Sequence, residues 1–178
     1  MAERQQAGVP STAAVAGHPI HPMLIPFPFA FLTGAALFDA LAASRRDREL
    51  ATTARHLGKA GLASAAVAAI PGLVDYLTTV PEGAPKETAT RHLLSNVTAL
   101  ACFTVAATGR REGQLPTRNA LVCGLIGSAL LGVGGWLGGK LSYQYQIGVD
   151  PEEQPSGRQL QARGEEAGSM SEELRAWT

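Results

Sequence analysis

The chain has 178 residues, with 15 Lys and Arg balanced by 15 Asp and Glu; only 17% of residues are charged and 46% are hydrophobic. An ordinary soluble domain carries about a quarter of its residues as charges. Here the charges are few and gathered into blocks, which points to a chain segmented by a bilayer. Lys and Arg are not clustered with aromatic residues on one face, so the composition argues against nucleic acid as a partner. Cys102 and Cys123 both fall inside apolar stretches, where neither a disulfide framework nor a Cys-x-x-Cys metal site is available.

Residues 1–16 lack the basic and apolar regions of a secretion signal and read as a flexible segment, so the first helix has to direct insertion itself. Crossing the hydrocarbon core takes about 20 helical residues. Four windows meet that length: 23–43, containing only Asp39; 57–80, with Lys59 at its start and Asp75 near its end; 92–109, the shortest; and 119–141. None has the polar stripe at a period of 3.6 that a soluble bundle helix shows. The connections SRRDRELATTAR, PEGAPKETATR and GRREGQLPTR are short, so consecutive helices are antiparallel neighbours. The expected fold is all-α, an integral membrane four-helix up-down bundle over residues 17–149. Residues 150–178 are polar and acidic and read as a disordered tail.

Basic residues in short loops stay in the cytoplasm. Arg45, Arg46, Arg48, Arg55, Lys59, Arg110, Arg111 and Arg118 follow the first and third helices, against Arg4, Lys86, Arg91 and Lys140 on the other side. The expected location is the cell inner (plasma) membrane, multi-pass, with both termini outside and the lipid bilayer as the main partner. Within the second helix Pro71 removes a backbone donor and predicts a kink beside Gly72. In the fourth, Gly124, Ser128, Gly132, Gly135 and Gly139 form a small-residue stripe. Such a stripe lets another helix approach closely, within the bundle or in a homo-oligomer.

This topology brings His18, His21, Asp75, His92, Lys140 and Tyr143 to the outer face, with three of the four histidines among them. In one reading His18, His21 and His92 are ligands for a metal such as zinc or copper, or for haem iron. Haem b would then be clamped between a histidine of the first helix and His92 on the diagonal third helix. Asp75 would orient a ligating imidazole through its other nitrogen. In the other reading the histidines only shape and wet the entry to the first helix. Asp75 is then a helix-end carboxylate bonded to Tyr76, His92 or Lys140, and Lys140 and Tyr143 are interfacial anchors. Asp39 is expected to pair with Arg45 or Arg46.

The segments GHPIHPMLIPFPF (17–29), PGLVDYL (71–77), HLLSN (92–96) and GWLGGKLSYQYQIGV (135–149) resemble, in order, the motifs of the family called domain of unknown function 2231. The resemblance covers residues 17 to 149. It implies a bacterial four-helix membrane domain, sometimes joined to Rieske-type iron–sulfur domains and grouped with haem-binding bundles, with no established activity. Cys102 and Cys123 cannot build a Rieske centre, which needs two Cys and two His in loops.

Three functions follow: a haem-binding or redox-associated membrane domain working with redox or respiratory partners; a metal-handling or small transport protein; or a structural subunit of a larger membrane complex without a cofactor. Enzymatic catalysis is the weakest case, since no nucleophile–base pair or phosphate loop is present. The orientation is testable with tags. Labels at Ala2 and Thr178 should react from outside the cell and labels in the 45–55 loop should not; the reverse pattern inverts the topology.

Overall fold

The computed structural model describes residues 8–108 and 113–149. The chain runs through a two-residue strand pair, β1 (Ala14–Val15) and β2 (His18–Pro19), and a short helix α1 (Ile20–Leu24). Four long helices follow: α2 (Pro26–Arg45), α3 (Arg48–Thr78), α4 (Ala84–Thr108) and α5 (Arg118–Tyr143). They form two tight hairpins, α2 against α3 and α4 against α5. The hairpins meet along two thinner seams, α2 with α5 and α3 with α4.

Three helices are long and apolar enough to cross a membrane: Ile20–Arg45, Arg48–Thr78 and Arg118–Tyr143. The fourth, α4, opens with Lys86, Glu87 and Arg91 and has only a short apolar run after them.

All four helices differ from their expected spans at the ends. The first is split at Ile25 into α1 and α2, where Pro22, Pro26 and Pro28 withhold backbone donors. The second starts at Arg48 rather than 57, because the Asp47 side chain caps the amides of Glu49 and Leu50. At about 1.5 Å per residue the 31 residues of α3 exceed the roughly 30 Å hydrocarbon core. Its first charged turns therefore continue as helix outside the apolar layer. The same holds for α4, which begins at Ala84 rather than 92. Helix α5 is close to expectation, with Thr117 as its cap.

The interior is built from small residues. Leu32 and Asp39 are the largest fully buried side chains, among buried Ala35, Ala42, Ala54, Ala68, Ala99, Ala106 and Ala120. Leucines, valines and isoleucines such as Leu37, Ile70, Leu77, Leu94 and Leu125 face outward. This inversion suits a lipid solvent, where close backbone approach rather than hydrophobic exclusion holds helices together.

The expected stripe on α5 lies partly on the wrong face. Gly132 meets nothing and Gly124, Gly135 and Gly139 make only ordinary contacts, whereas the tightly packed positions are Gly127, Gly134 and Gly138. The stripe was read one residue out of phase beyond Gly124, because glycines crowd both faces of this helix.

The two hairpins repeat each other contact for contact. A Cβ on Gly61 would lie 2.6 Å from Leu32, and one on Gly127 would lie 2.7 Å from Phe103. Eleven residues further along, about three helical turns, Gly72 lies under His21 and Gly138 under His92. Buried Ala35 and Ala106 correspond, as do Pro28 and Ala99, and Ala54 and Ala120. Exchanging the hairpins turns the α2–α5 seam into the α4–α3 seam, so the halves are related as by a two-fold axis along the bundle. Ala at Gly61 or at Gly127 should therefore cost a similar amount, about 1–3 kcal/mol as overpacking. Leu at Gly132 should cost little. Thermal unfolding in detergent checks both.

Candidate functional site

The repeat places one imidazole from each hairpin at the same end of the bundle. His21, in α1, directs Nδ1 to the carbonyl of Ala68 in α3 at 2.7 Å. His92, in α4, directs Nδ1 to the carbonyl of Gly134 in α5 at 2.8 Å. A carbonyl can only accept, so in both rings Nδ1 carries the proton and Nε2 is the nitrogen left with a lone pair in the neutral ring.

Each contact needs a glycine one turn on. A Cβ at Gly72 would stand 2.6 Å from the His21 ring, and one at Gly138 would stand 3.1 Å from the His92 ring. In α3 this socket adjoins Pro71, which lacks the amide that the Val67 carbonyl would otherwise accept from.

The two rings lie 6.3 Å apart between centroids and nearly perpendicular, at 87°. Asn96, one turn beyond His92 on α4, places Nδ2 3.1 Å from Nε2 of His92 and 2.9 Å from its carbonyl oxygen. A Cβ at Gly134 would meet the Asn96 amide at 2.6 Å, so the glycine also admits this second polar group. Asn96 was not singled out in the sequence. Its i, i+4 spacing from His92 was the available signal.

The other expected members lie elsewhere. His18 is exposed on β2, with Nδ1 2.8 Å from the carbonyl of Ala16. Asp75 does not bond Tyr76, His92 or Lys140. It accepts from the Ser11 hydroxyl at 2.7 and 2.8 Å, from the Ala13 amide at 3.3 Å and from Thr79 at 3.2 Å. Thr12 adds contacts to Thr78 and Thr79, and the Val9 amide bonds the carbonyl of Gln146 at 2.9 Å while its own carbonyl takes the Gly148 amide.

Residues 9–15, expected within a flexible segment, are thus a strap across the histidine end of the bundle, pinned to α3 by Asp75. Lys140 lies 6.0 Å from the Trp136 ring and 5.8 Å from that of Tyr145, and Tyr143 is 85% exposed. Among the described residues no three His, Cys, Asp or Glu side chains are placed to share one metal ion. The expected triad of His18, His21 and His92 is therefore a pair. Asp39 is buried at the opposite end, beside Thr52 and Arg55. Arg110, Arg111 and the acidic tail lie outside the described residues.

Fold and site together define an integral membrane bundle of two repeated helical hairpins with a paired-histidine centre at one end. The chain belongs to the family described as Predicted membrane protein (DUF2231), whose match covers residues 17–151. Neither the curated proteins nor the solved structures contain a match.

The strap makes a direct prediction. Asp75→Ala should speed amide hydrogen exchange across residues 9–15 while leaving the four helices protected. Unchanged exchange there would mean that the carboxylate does not hold the strap.

Proposed function

We propose that this chain is a haem-binding, redox-associated domain of the inner membrane, with both termini outside, in which His21 and His92 would hold one haem b. The observation that carries this reading is the pair itself. Two imidazoles from opposite hairpins are each oriented by a carbonyl at Nδ1, which leaves Nε2 as the ligating nitrogen. That is the outer-shell arrangement found around metal-bound histidine.

The donor set favours haem over a bare ion. A structural zinc is held by four ligands from the protein, and the pair offers two. A porphyrin supplies four nitrogens of its own and asks the protein for one or two axial ligands. The rings stand 6.3 Å apart between centroids, close enough that one group could be held by both. The seam between the hairpins is the thinner packing in the bundle and the natural place for a flat ligand.

When bound, the haem supplies one-electron chemistry, which partner redox or respiratory proteins would draw on. The chain's own residues do the rest. Ala68 and Gly134 fix the ring tautomers, Gly72 and Gly138 make room for the rings, and Asn96 holds Nε2 of His92 until it is released to a ligand. The strap pinned by Asp75 covers this end of the bundle.

A small transport function is the second reading, because membrane transporters are commonly built from repeats. The paired histidines lie at one end rather than at the midplane, which weighs against it.

The test is the visible spectrum of protein purified from its native membrane. A bis-histidine haem spectrum is expected. His21→Ala and His92→Ala should each abolish it with little loss of folded protein, whereas His18→Ala and His56→Ala should preserve it. A spectrum without haem, together with a blank metal analysis, would leave the pair as structural cross-links between helices.

A further inference from the structure

The repeat provides an internal control, because any position can be compared with its counterpart in the other hairpin. At the end of the bundle away from the histidines the two seams differ. In the α2–α5 seam, a Cβ at Gly124 would touch the Ala36 Cβ at 3.4 Å. The counterpart in the α3–α4 seam is Gly58 facing Ala107. There Ala107 is not within 4 Å, and the nearest atom is Ala35 Cβ of the same hairpin at 3.8 Å. The α3–α4 seam is open.

The gap is a cavity of about 210 Å³, lined by Ala35, Gly58, Phe103 and Ala107 with Arg55 and Lys59. The counterparts of those two cations on α5 are Leu121 and Leu125, ordinary membrane residues. Two basic side chains thus replace two leucines at the place where the seam opens.

Arg55 and Lys59 are four residues apart on α3, so both lie over the same face. Arg55 is engaged within the chain, while Lys59 is exposed and has no ion-pair or hydrogen-bond partner among the described residues. A long cationic side chain thus stands beside an apolar gap near the end of a membrane helix, with no counter-charge among the described residues. Ionisable residues on membrane helices are rare and commonly mark functional sites. Basic pockets between membrane helices are recognised sites for anionic lipid headgroups.

We propose that this cavity is a binding site for an anionic phospholipid, with its phosphate held by Arg55 and Lys59 and an acyl chain against Ala35, Phe103 and Ala107. The apolar lining is what selects a lipid over a free phosphate ion, since inorganic phosphate would leave that surface uncovered. The site is separate from the histidine pair and independent of the haem reading.

The experiment uses the full chain, delipidated in neutral detergent and reloaded with phosphatidylglycerol, phosphatidylcholine or inorganic phosphate, with occupancy read by native mass spectrometry. One phosphatidylglycerol per chain should be retained and phosphatidylcholine should not. Lys59→Gln should weaken retention about fivefold, the worth of one basic residue near an anionic headgroup. Ala107→Leu, which fills the gap without changing charge, should prevent retention while the thermal midpoint stays at or above that of the wild type.

Equal retention of the two lipids would overturn the proposal, as would full retention by either variant. Displacement of phosphatidylglycerol by millimolar inorganic phosphate would make this a free-anion site and overturn it as a lipid site. The histidine variants should bind phosphatidylglycerol normally, so a failure here and a failure of the haem reading can be told apart.

Discussion

The histidine pair of this bundle depends on one interaction used twice: an imidazole N–H donated to a helix carbonyl across a glycine. In hydrocarbon no water can satisfy a ring nitrogen, and an unpaired polar group there costs several kcal/mol. The nearest acceptor is the backbone of the facing helix, and reaching it requires that helix to present no side chain in the way. Gly72 and Gly138 meet that requirement, and Ala68 and Gly134 supply the oxygens. The same bond that satisfies the ring also sets its tautomer. A contact needed for packing therefore prepares a nitrogen for ligation.

Repetition gives the site its position. Each histidine docks on the second helix of its own hairpin, and the two-fold relation of the hairpins then brings the rings to 6.3 Å. Eleven residues away, Leu32 on Gly61 and Phe103 on Gly127 repeat the same knob-on-glycine contact deeper in the bundle. Departures from the repeat are equally informative. The strap from Val9 to Val15 exists only on the first hairpin, and Arg55 and Lys59 stand where the second hairpin has leucines. Symmetry builds the scaffold, and the asymmetric additions carry its particular chemistry.

Much of the fold was legible because bilayer thickness constrains composition so strongly. Four helices, their antiparallel order and the family resemblance all followed from apolar windows and motifs. The helix ends were misplaced because charged residues such as Arg48 and Lys86 leave the hydrocarbon without leaving the helix. The third window was the shortest, and α4, though 25 residues long, is the long helix whose composition falls short of a membrane span.

Of the six expected site residues, the structure brings His21 and His92 together. His18, Asp75 and Lys140 share that end of the bundle but point to other partners, and Tyr143 is exposed. Sequence position gives the level of a residue in the bilayer, and its direction depends on rotation about each helix axis. The repeat itself was hidden, since beyond His21/His92, Gly58/Gly124, Gly61/Gly127 and Gly72/Gly138 the residues shared at matching positions are mostly alanines, which any membrane helix carries, and the two loops differ in length.

The central claim is that each ring is a donor at Nδ1 to the facing helix of its own hairpin, with Nε2 left as acceptor. It is tested most directly by nitrogen-15 NMR of the cofactor-free protein labelled at the histidine rings, in micelles. Two slowly exchanging Nδ1–H signals are predicted, with the partner Nε2 resonances unprotonated, one signal lost in His21→Gln and the other in His92→Gln. Protonation at Nε2, or rapid exchange of both ring protons with water, would contradict the account.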